Sequence, residues 1–217
     1  MIWTCVVTHD RLAYTRRCIE SLLATQRPGD GLIVVDNAST DGTVAWLRRR
    51  RVRVIGNEDN RFPGAATNQG WDAAPPEALY LHRSDNDIEY HHGWQAEVEA
   101  QFAAHPDIAL LGILNLHEDR GTDDRDATDV EWVSRVGGNV VMPAVLFRSG
   151  LRWDERPWAV CIDEDGPMSW AAGRRGRVAR LRRTVADNMA FCRFADLPDY
   201  YRRTATLRGI RDAEHSV

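Results

Sequence analysis

The chain has 217 residues, of which 43% are hydrophobic and 28% charged, as expected for a soluble globular protein with one core. Its net charge of −4 gives no general attraction to nucleic acid, although all 28 basic residues are arginines. No apolar run is long enough for a membrane span, and no signal peptide precedes the first predicted strand, so we expect a cytoplasmic protein. The four cysteines show no zinc spacing, which agrees with buried thiols in a reducing compartment.

Short apolar runs alternate with helical patterns at the start of the chain. Ile2–Thr8, Leu32–Val35 and Val52–Ile55 are β-branched and apolar, which is typical of strands buried on both faces. Apolar residues recur at helical spacing over 12–23, and Thr43–Arg50 is a second predicted helix. This βαβαβ order predicts an α/β fold with a parallel sheet.

The middle of the chain continues the alternation. The predicted elements are a helix over 63–74, a strand at Leu79–Leu81, a helix at Gly93–Ala104 and a strand at Ile108–Leu114. The acidic segment 117–129 that follows has no apolar periodicity, so it is either a mobile surface loop or a substrate lid.

Shorter elements complete the prediction. In order, they are strands at Trp132–Val136 and Val140–Phe147, a helix that ends at Gly173, a strand at Val178–Leu181 and a helical tail after Pro198. An acidic trio, Asp163–Asp165, precedes the helix, where carboxylates also favour a helix N-terminus without any catalytic role.

Two aspartates follow the strand at Leu79–Leu81. Asp85 and Asp87 are separated only by Asn86, and the end of a strand in an open α/β sheet is where ligands bind. Carboxylate oxygens suit Mg²⁺ or Mn²⁺ that carries substrate phosphates. The same three residues are also ordinary components of an Asx-rich turn.

A series of segments over residues 1–185 resembles, in order, the motifs of family-2 glycosyltransferases of the GT-A fold. They are Val6–Arg11, Cys18–Gln26, Ile33–Thr43, Asn57–Gly70, Ser84–Tyr90, Val145–Leu151 with Trp153–Glu155, and Ile162–Gly176. The resemblance implies a single-domain α/β, GT-A type (Rossmann-like) fold, with a mixed, mainly parallel central sheet flanked by helices. The domain would span 1–195, with a nucleotide-sugar half at 1–90, an acceptor and base half at 91–195, and a tail at 196–217.

The resemblance also implies the activity. It is the inverting transfer of one sugar from a nucleotide-diphosphate donor, here a UDP-sugar, to a hydroxyl of a soluble acceptor, with Mn²⁺ or Mg²⁺ as cofactor. The acceptor stays open between a small molecule, a glycan, a peptide and a modified DNA base, although Arg174–Arg183 would suit a phosphate-bearing one. The alternatives are a sugar-phosphate nucleotidyltransferase, disfavoured because no glycine follows the first strand, and a non-catalytic nucleotide-sugar binder.

The family's site residues carry over by motif position. The resemblance implies donor contacts from Thr8, Asp10, Asp36, Asn68 and Asp85, cation ligation by Asp87 with Asp85, and a general base at Asp165 with Glu164 as the alternative. Asp36 could instead be a helix-capping loop residue.

Two departures from the family's pattern concern the site. Asp10 stands where many members have asparagine, so its role is less defined. Asp187 and Asn188 stand near the place of a late histidine ligand, so the cation's ligand shell is open to a different composition.

Overall fold

The computed structural model describes residues 1–113, 129–156 and 164–189. Most of the predicted loop 117–129, Asp163 and the predicted tail lie outside these ranges. In chain order, the elements are β1 (Ile2–Thr8), α1 (Leu12–Thr25), β2 (Gly31–Asn37), α2 (Thr43–Arg49), β3 (Arg53–Asn57), α3 (Phe62–Asp72), β4 (Tyr80–Asp85), β5 (Ile88–Tyr90), α4 (Trp94–Ala104), β6 (Ile108–Gly112), β7 (Val130–Trp132), β8 (Val140–Pro143), α5 (Ala144–Arg148), α6 (Asp165–Gly173), β9 (Arg177–Leu181) and β10 (Ala186–Asn188).

Eight strands form one mixed sheet in the order β3-β2-β1-β4-β8-β6-β9-β7. The pairs β3-β2, β2-β1, β1-β4 and β6-β9 are parallel, and β8 and β7 pair antiparallel to their neighbours. This arrangement confirms the predicted mixed, mainly parallel sheet. The short strands β5 and β10 pair in a separate two-stranded sheet that the sequence did not predict.

Helices cover both faces of the sheet. Successive strand residues point to opposite faces, so strands that are apolar throughout need packing partners on both sides. On β1, Ile2 and Val6 pack in the core layer that includes α1, α2 and α4, whereas Trp3 and Cys5 pack in the layer that includes α3, α5 and α6. Cys5 and Cys18 are free and buried, as predicted. Burial raises the pKa of each thiol to about 12, so both stay protonated and unreactive.

The predicted strand Val140–Phe147 is wrong in its second half. Strand β8 ends at Pro143, opposite Tyr80 of β4, and the chain turns directly into α5. Proline has no N–H for a further ladder bond, and its fixed φ suits the residue that precedes a helix. The apolar run therefore divides between a strand and a helix, which periodicity alone does not distinguish.

A network of polar side chains is buried between β4 and the helices of the first core layer. His82 is fully buried, with Nδ1 3.1 Å from the Thr4 hydroxyl and Nε2 3.1 Å from Asn139 Oδ1. The Tyr90 hydroxyl lies 2.9 Å from the same Asn139 oxygen and donates to Ser84 at 2.6 Å. Because the imidazole is satisfied on both nitrogens, His82 is a structural histidine.

This network makes the stability of the fold depend on pH. Burial lowers the pKa of His82 to about 3, whereas in the unfolded chain the group takes up a proton below about 6.5. Only the unfolded state gains that proton, so stability is lost as the pH falls from 6.5 toward 3. We expect His82 to lower the free energy of unfolding by about 2 kcal/mol between pH 7 and pH 5, measured by urea unfolding.

The control variants separate this effect from other titrations. His82→Gln should lose the pH-dependent part attributed to the imidazole, even if the variant is less stable at both pH values. His92 is exposed, so His92→Gln should keep the full pH dependence. The same pH dependence in His82→Gln and in the unmodified protein would contradict the assignment.

Candidate active site

Three predicted site residues lie side by side at the carboxyl edge of the parallel strands. Thr8 of β1 pairs in register with Asp36 of β2, and Val7 of β1 pairs with Asp85 of β4. The neighbouring strands therefore end at the same level of the sheet. This edge is where open α/β sheets bind ligands.

Asp36 is 1% exposed, and its Oδ2 accepts a 2.9 Å hydrogen bond from the backbone N–H of Ser39. Its Oδ1 is buried and has no hydrogen-bond partner among the residues that the structure describes. Burial raises the pKa of the Asp36 carboxyl, and the hydrogen bonds from Ser39 act in the opposite direction. A buried carboxylate oxygen without a partner is costly, which is typical of an atom that a ligand satisfies.

Asp10 joins the loop after β1 to the loop after β2. Its backbone N–H donates to the Ser39 hydroxyl at 2.7 Å, and its Oδ1 accepts from the Thr40 backbone N–H at 2.7 Å. Asp10 and Arg11 both have positive φ angles, of 53° and 62°. Strained backbone of this kind concentrates at functional sites, so the two loops form a fixed wall beside Asp36.

Thr8 and Asn68, both predicted to contact the donor, are buried and engaged with the protein itself. The Thr8 hydroxyl lies 3.0 Å from the Thr15 hydroxyl and accepts a 3.0 Å hydrogen bond from the Asn86 amide. The Asn68 amide exchanges two hydrogen bonds with the backbone of Trp153, at 3.0 and 3.1 Å. Both side chains brace the walls of the site in this structure.

The two aspartates of the predicted cation motif differ in exposure. Asp87 is 12% exposed in its side chain and forms a 3.0 Å ion pair with Arg11, whereas the Asp85 side chain is 43% exposed. Burial and the neighbouring Asp85 raise the pKa of Asp87, and Arg11 acts against this shift. Between them, Asn86 is buried and also donates to the Asp10 carbonyl at 3.2 Å, which fixes the motif to the loop after β1.

Asp165 and Glu164 face the same edge from the start of α6. Both approach Arg83 of β4, which contacts Glu164 and lies 3.6 Å from Asp165. Arg83 also lies 3.5 Å from Asp85. The structure thus brings the predicted base motif and the predicted cation motif together, through an arginine that the sequence analysis missed.

The charges around Arg11 and Arg83 favour a bound cation. The two arginines lie among four carboxylates, so this cluster, when ionised, carries an excess of two negative charges; the carboxylates are those of Asp85, Asp87, Glu164 and Asp165. Among the described residues, no group of three or more His, Cys, Asp or Glu side chains is arranged to hold a metal ion. Two carboxylates nevertheless fit a Mg²⁺ or Mn²⁺ ion that takes its other ligands from substrate phosphates and water.

The segment with Asp187 and Asn188 runs beside this motif. The N–H of Met189 donates to the Asp87 carbonyl at 2.8 Å, and β10 pairs with β5. Asp187 itself contacts His91 at 2.8 Å, and both side chains are exposed. Asp187 and Asn188, which stand near the expected place of a late histidine ligand, are therefore close to the candidate cation site in space.

The basic strip Arg174–Arg183 lies on and around β9, where its charges are largely compensated. Four of its arginines have a carboxylate within 3.6 Å: Arg177 with Asp107, Arg180 with Glu131, Arg182 with Asp129, and Arg183 with Glu97. Such exposed pairs contribute little to stability, but they reduce the positive field that a polyanion would need.

Comparisons with known proteins identify a family and a fold. Glycosyl transferase family 2 matches residues 3–165. S. aureus TarS 1–349 superposes with a TM-score of 0.68 at 18% identity, over 98% of this chain and 66% of that one. A second TarS structure, solved with UDP-GlcNAc, has the same TM-score and identity and covers 98% of this chain and 68% of that one.

A mannosyltransferase structure gives a similar result. The mannosyltransferase PcManGT from Pyrobaculum calidifontis, solved with GDP-Man and Mn²⁺, superposes with a TM-score of 0.70 at 17% identity, over 99% of this chain and 65% of that one. The chain thus spans about two thirds of the length of these solved chains, and the likeness at this identity concerns the fold.

No curated protein matches the sequence. Among the helices that the structure describes, none is long and apolar enough to cross a membrane. The fold and the family match point to the same family, and the match covers residues 3–165, which is most of the chain. The chain belongs to glycosyl transferase family 2.

Proposed function

We propose that the chain transfers one sugar from a nucleoside-diphosphate donor, a UDP-sugar, to a hydroxyl of an acceptor, with inversion at the sugar carbon. The observation that carries the proposal is the meeting of Asp36, the pair Asp85 and Asp87, and Asp165 at one edge of the sheet. These are the three kinds of carboxylate that base recognition, phosphate binding and proton removal require.

Asp165 is the proposed general base. As the acceptor oxygen attacks the sugar carbon, its proton passes to the Asp165 carboxylate. The bond from that carbon to the diphosphate breaks, and its electron pair leaves with the nucleoside diphosphate. Because attack and departure take place on opposite faces of the sugar, one displacement inverts the configuration.

Asp87 and Asp85 would hold the divalent cation, which neutralises the negative charge of the leaving diphosphate. Their carboxylates and the excess negative charge of the site support this assignment. In this structure, Arg11 forms an ion pair with Asp87. We propose that it turns toward the phosphates when the donor binds, because a guanidinium pairs well with phosphate oxygens.

The acceptor is proposed to be a small molecule or a glycan without phosphate. The support for this choice is the pairing of four arginines on and directly after β9 with surface carboxylates, which lowers the attraction for nucleic acid. For the sugar donor, the first compounds to test are UDP-GlcNAc and GDP-Man, which are bound in the TarS and PcManGT structures.

Donor binding tests the proposal, with Asp36 as its first target. The unpartnered Oδ1 of Asp36 is expected to accept a hydrogen bond from the nucleoside. Asp36→Ala should therefore weaken UDP binding by about 1–3 kcal/mol, measured by calorimetry with Mn²⁺ present.

Asp72→Ala is the matched control. Asp72 is a carboxylate paired with Arg152 at the end of α3. It lies away from the carboxyl edge, so UDP affinity should not change. Equal UDP affinity in Asp36→Ala and in the unmodified protein would remove Asp36 from the donor site. A protein that binds neither UDP nor GDP would contradict the proposed function as a whole.

A further inference from the structure

Arg83 is a buried charge at a position where a strand normally carries an apolar residue. It follows Leu81 on the same face of β4, and Leu81 packs in the second core layer. The Arg83 side chain is only 2% exposed. A charge buried this deeply needs partners, since an uncompensated one costs several kcal/mol.

The partners of Arg83 come from both sides of the site. Nη2 contacts a carboxylate oxygen of Glu164 and lies 3.5 Å from Asp85 Oδ1, while Nη1 lies 3.6 Å from Asp165 Oδ1. Burial acts against the charge, but Glu164, Asp85 and Asp165 raise the pKa of Arg83 above its ordinary value. One rigid guanidinium therefore joins the end of β4 to the start of α6.

The surroundings fix the guanidinium in this orientation. Its central carbon lies 4.2 Å from the ring centroid of Trp153, whose backbone is held by Asn68. On another side, a Cβ added at Gly138 would lie 2.8 Å from Nη2 of Arg83 and 3.2 Å from Asp85 Oδ2. Gly138 thus lets its loop approach the ion pair closely, which a larger residue would prevent.

We propose that Arg83 is a positioning residue. It fixes the distance between Asp165, on the acceptor side of the site, and Asp85, on the donor side. The inference rests on the proposed function, because that function makes Asp165 the base. Arg83 takes no part in the proton transfer. Glu164 anchors the first turn of α6 to the guanidinium, and Asp165 follows it at a defined distance from β4.

Substitutions at Arg83 test this role through catalysis and binding measured separately. Arg83→Met keeps an unbranched apolar stem but removes the guanidinium and its charge, so kcat for nucleoside-diphosphate release should fall by about 10²-fold. The Kd for UDP should stay unchanged, because Asp36 and Asp87 bind the donor. Arg83→Lys keeps the charge without the fork and should recover part of kcat.

Arg177→Met is the matched control, because Arg177 also pairs with a carboxylate, Asp107, and lies over a tryptophan, Trp132. It is on β9, outside the site, so kcat should not change. Gly138→Ala displaces the same guanidinium without removing the buried charge. It should therefore lower kcat in the same direction, even if Arg83→Met does not fold.

Hydrogen exchange of the α6 amides provides a readout that needs no activity. Protection over residues 165–173 should fall in Arg83→Met, or in Gly138→Ala, and stay unchanged in Arg177→Met. Full kcat and full protection in a folded Arg83→Met protein would overturn the inference. A loss of UDP affinity equal to the loss of kcat would also overturn it, because Arg83 would then belong to the donor site.

Failure of the proposed function gives a different pattern. If the unmodified protein releases no nucleoside diphosphate from any donor, the function is wrong. The exchange measurement still decides whether Arg83 holds α6, since it depends on no substrate.

Discussion

Replacement of Asp165 by asparagine is expected to lower kcat by about 10²–10⁴-fold, the usual contribution of a general base. Asparagine has nearly the same shape but cannot accept the proton from the acceptor hydroxyl. The affinity for the donor should not change, because Asp36 and Asp87 are not on α6. Asp36 lies near the end of β2, and Asp87 lies between β4 and β5. Steady-state kinetics and calorimetry with UDP measure the two quantities separately.

Glu164→Gln is the matched control for Asp165→Asn. The Glu164 side chain is 10% exposed and contacts Arg83, whereas that of Asp165 is 23% exposed. Glutamine can still accept a hydrogen bond from the guanidinium, so Glu164→Gln should lose much less activity than Asp165→Asn. If Glu164→Gln is inactive and Asp165→Asn turns over normally, the base is Glu164. Full activity in both variants would place the base elsewhere.

Replacement of Asp87 by asparagine should have the second large effect. Loss of one carboxylate from the candidate cation site removes charge stabilisation worth several kcal/mol, so we expect kcat/KM to fall by about 10²–10³-fold. Asp85→Asn should be less damaging, because Asp85 is the more exposed of the two and also interacts with Arg83. Mn²⁺ titrations of each variant, followed by UDP release, measure the difference.

Asp87→Asn also releases Arg11 from its ion pair, so the effect on the cation needs its own control. Arg11→Met breaks the same pair and leaves the carboxylate, so it should not weaken Mn²⁺ binding measured by calorimetry. Asp87→Asn should weaken it. Full activity of the unmodified protein in excess EDTA would contradict the cation assignment.

The sequence predicts the fold well because its signals are local. Buried parallel strands such as β1 and β2 form continuous β-branched runs, and the helices between them have clear apolar periodicity. The ends of β2 and β4 place Asp36 and Asp85 at the same edge of the sheet, one on each side of β1, since parallel strands end at one edge. The boundary at Pro143 was missed, because an apolar run fits a strand or a helix equally well.

The rest of the site depends on contacts between residues that are distant along the chain. Arg83 and Glu164 are 81 positions apart, and no local pattern relates them. The one available signal was Arg83 itself. It lies on the same face of β4 as the core residue Leu81, and an arginine is rarely buried at such a position. The donor roles of Thr8 and Asn68 stay predictions, since both side chains are bound within the protein.

The stereochemistry of donor hydrolysis tests the role of Asp165 as base most directly, because it needs no knowledge of the acceptor. With water in place of the acceptor, the protein, Mg²⁺ and a UDP-α-sugar are followed by proton NMR before mutarotation mixes the anomers. Direct displacement predicts that the β anomer of the free sugar forms first, and that Asp165→Asn strongly slows its formation while still binding UDP. Initial formation of the α anomer would contradict direct displacement with Asp165 as base.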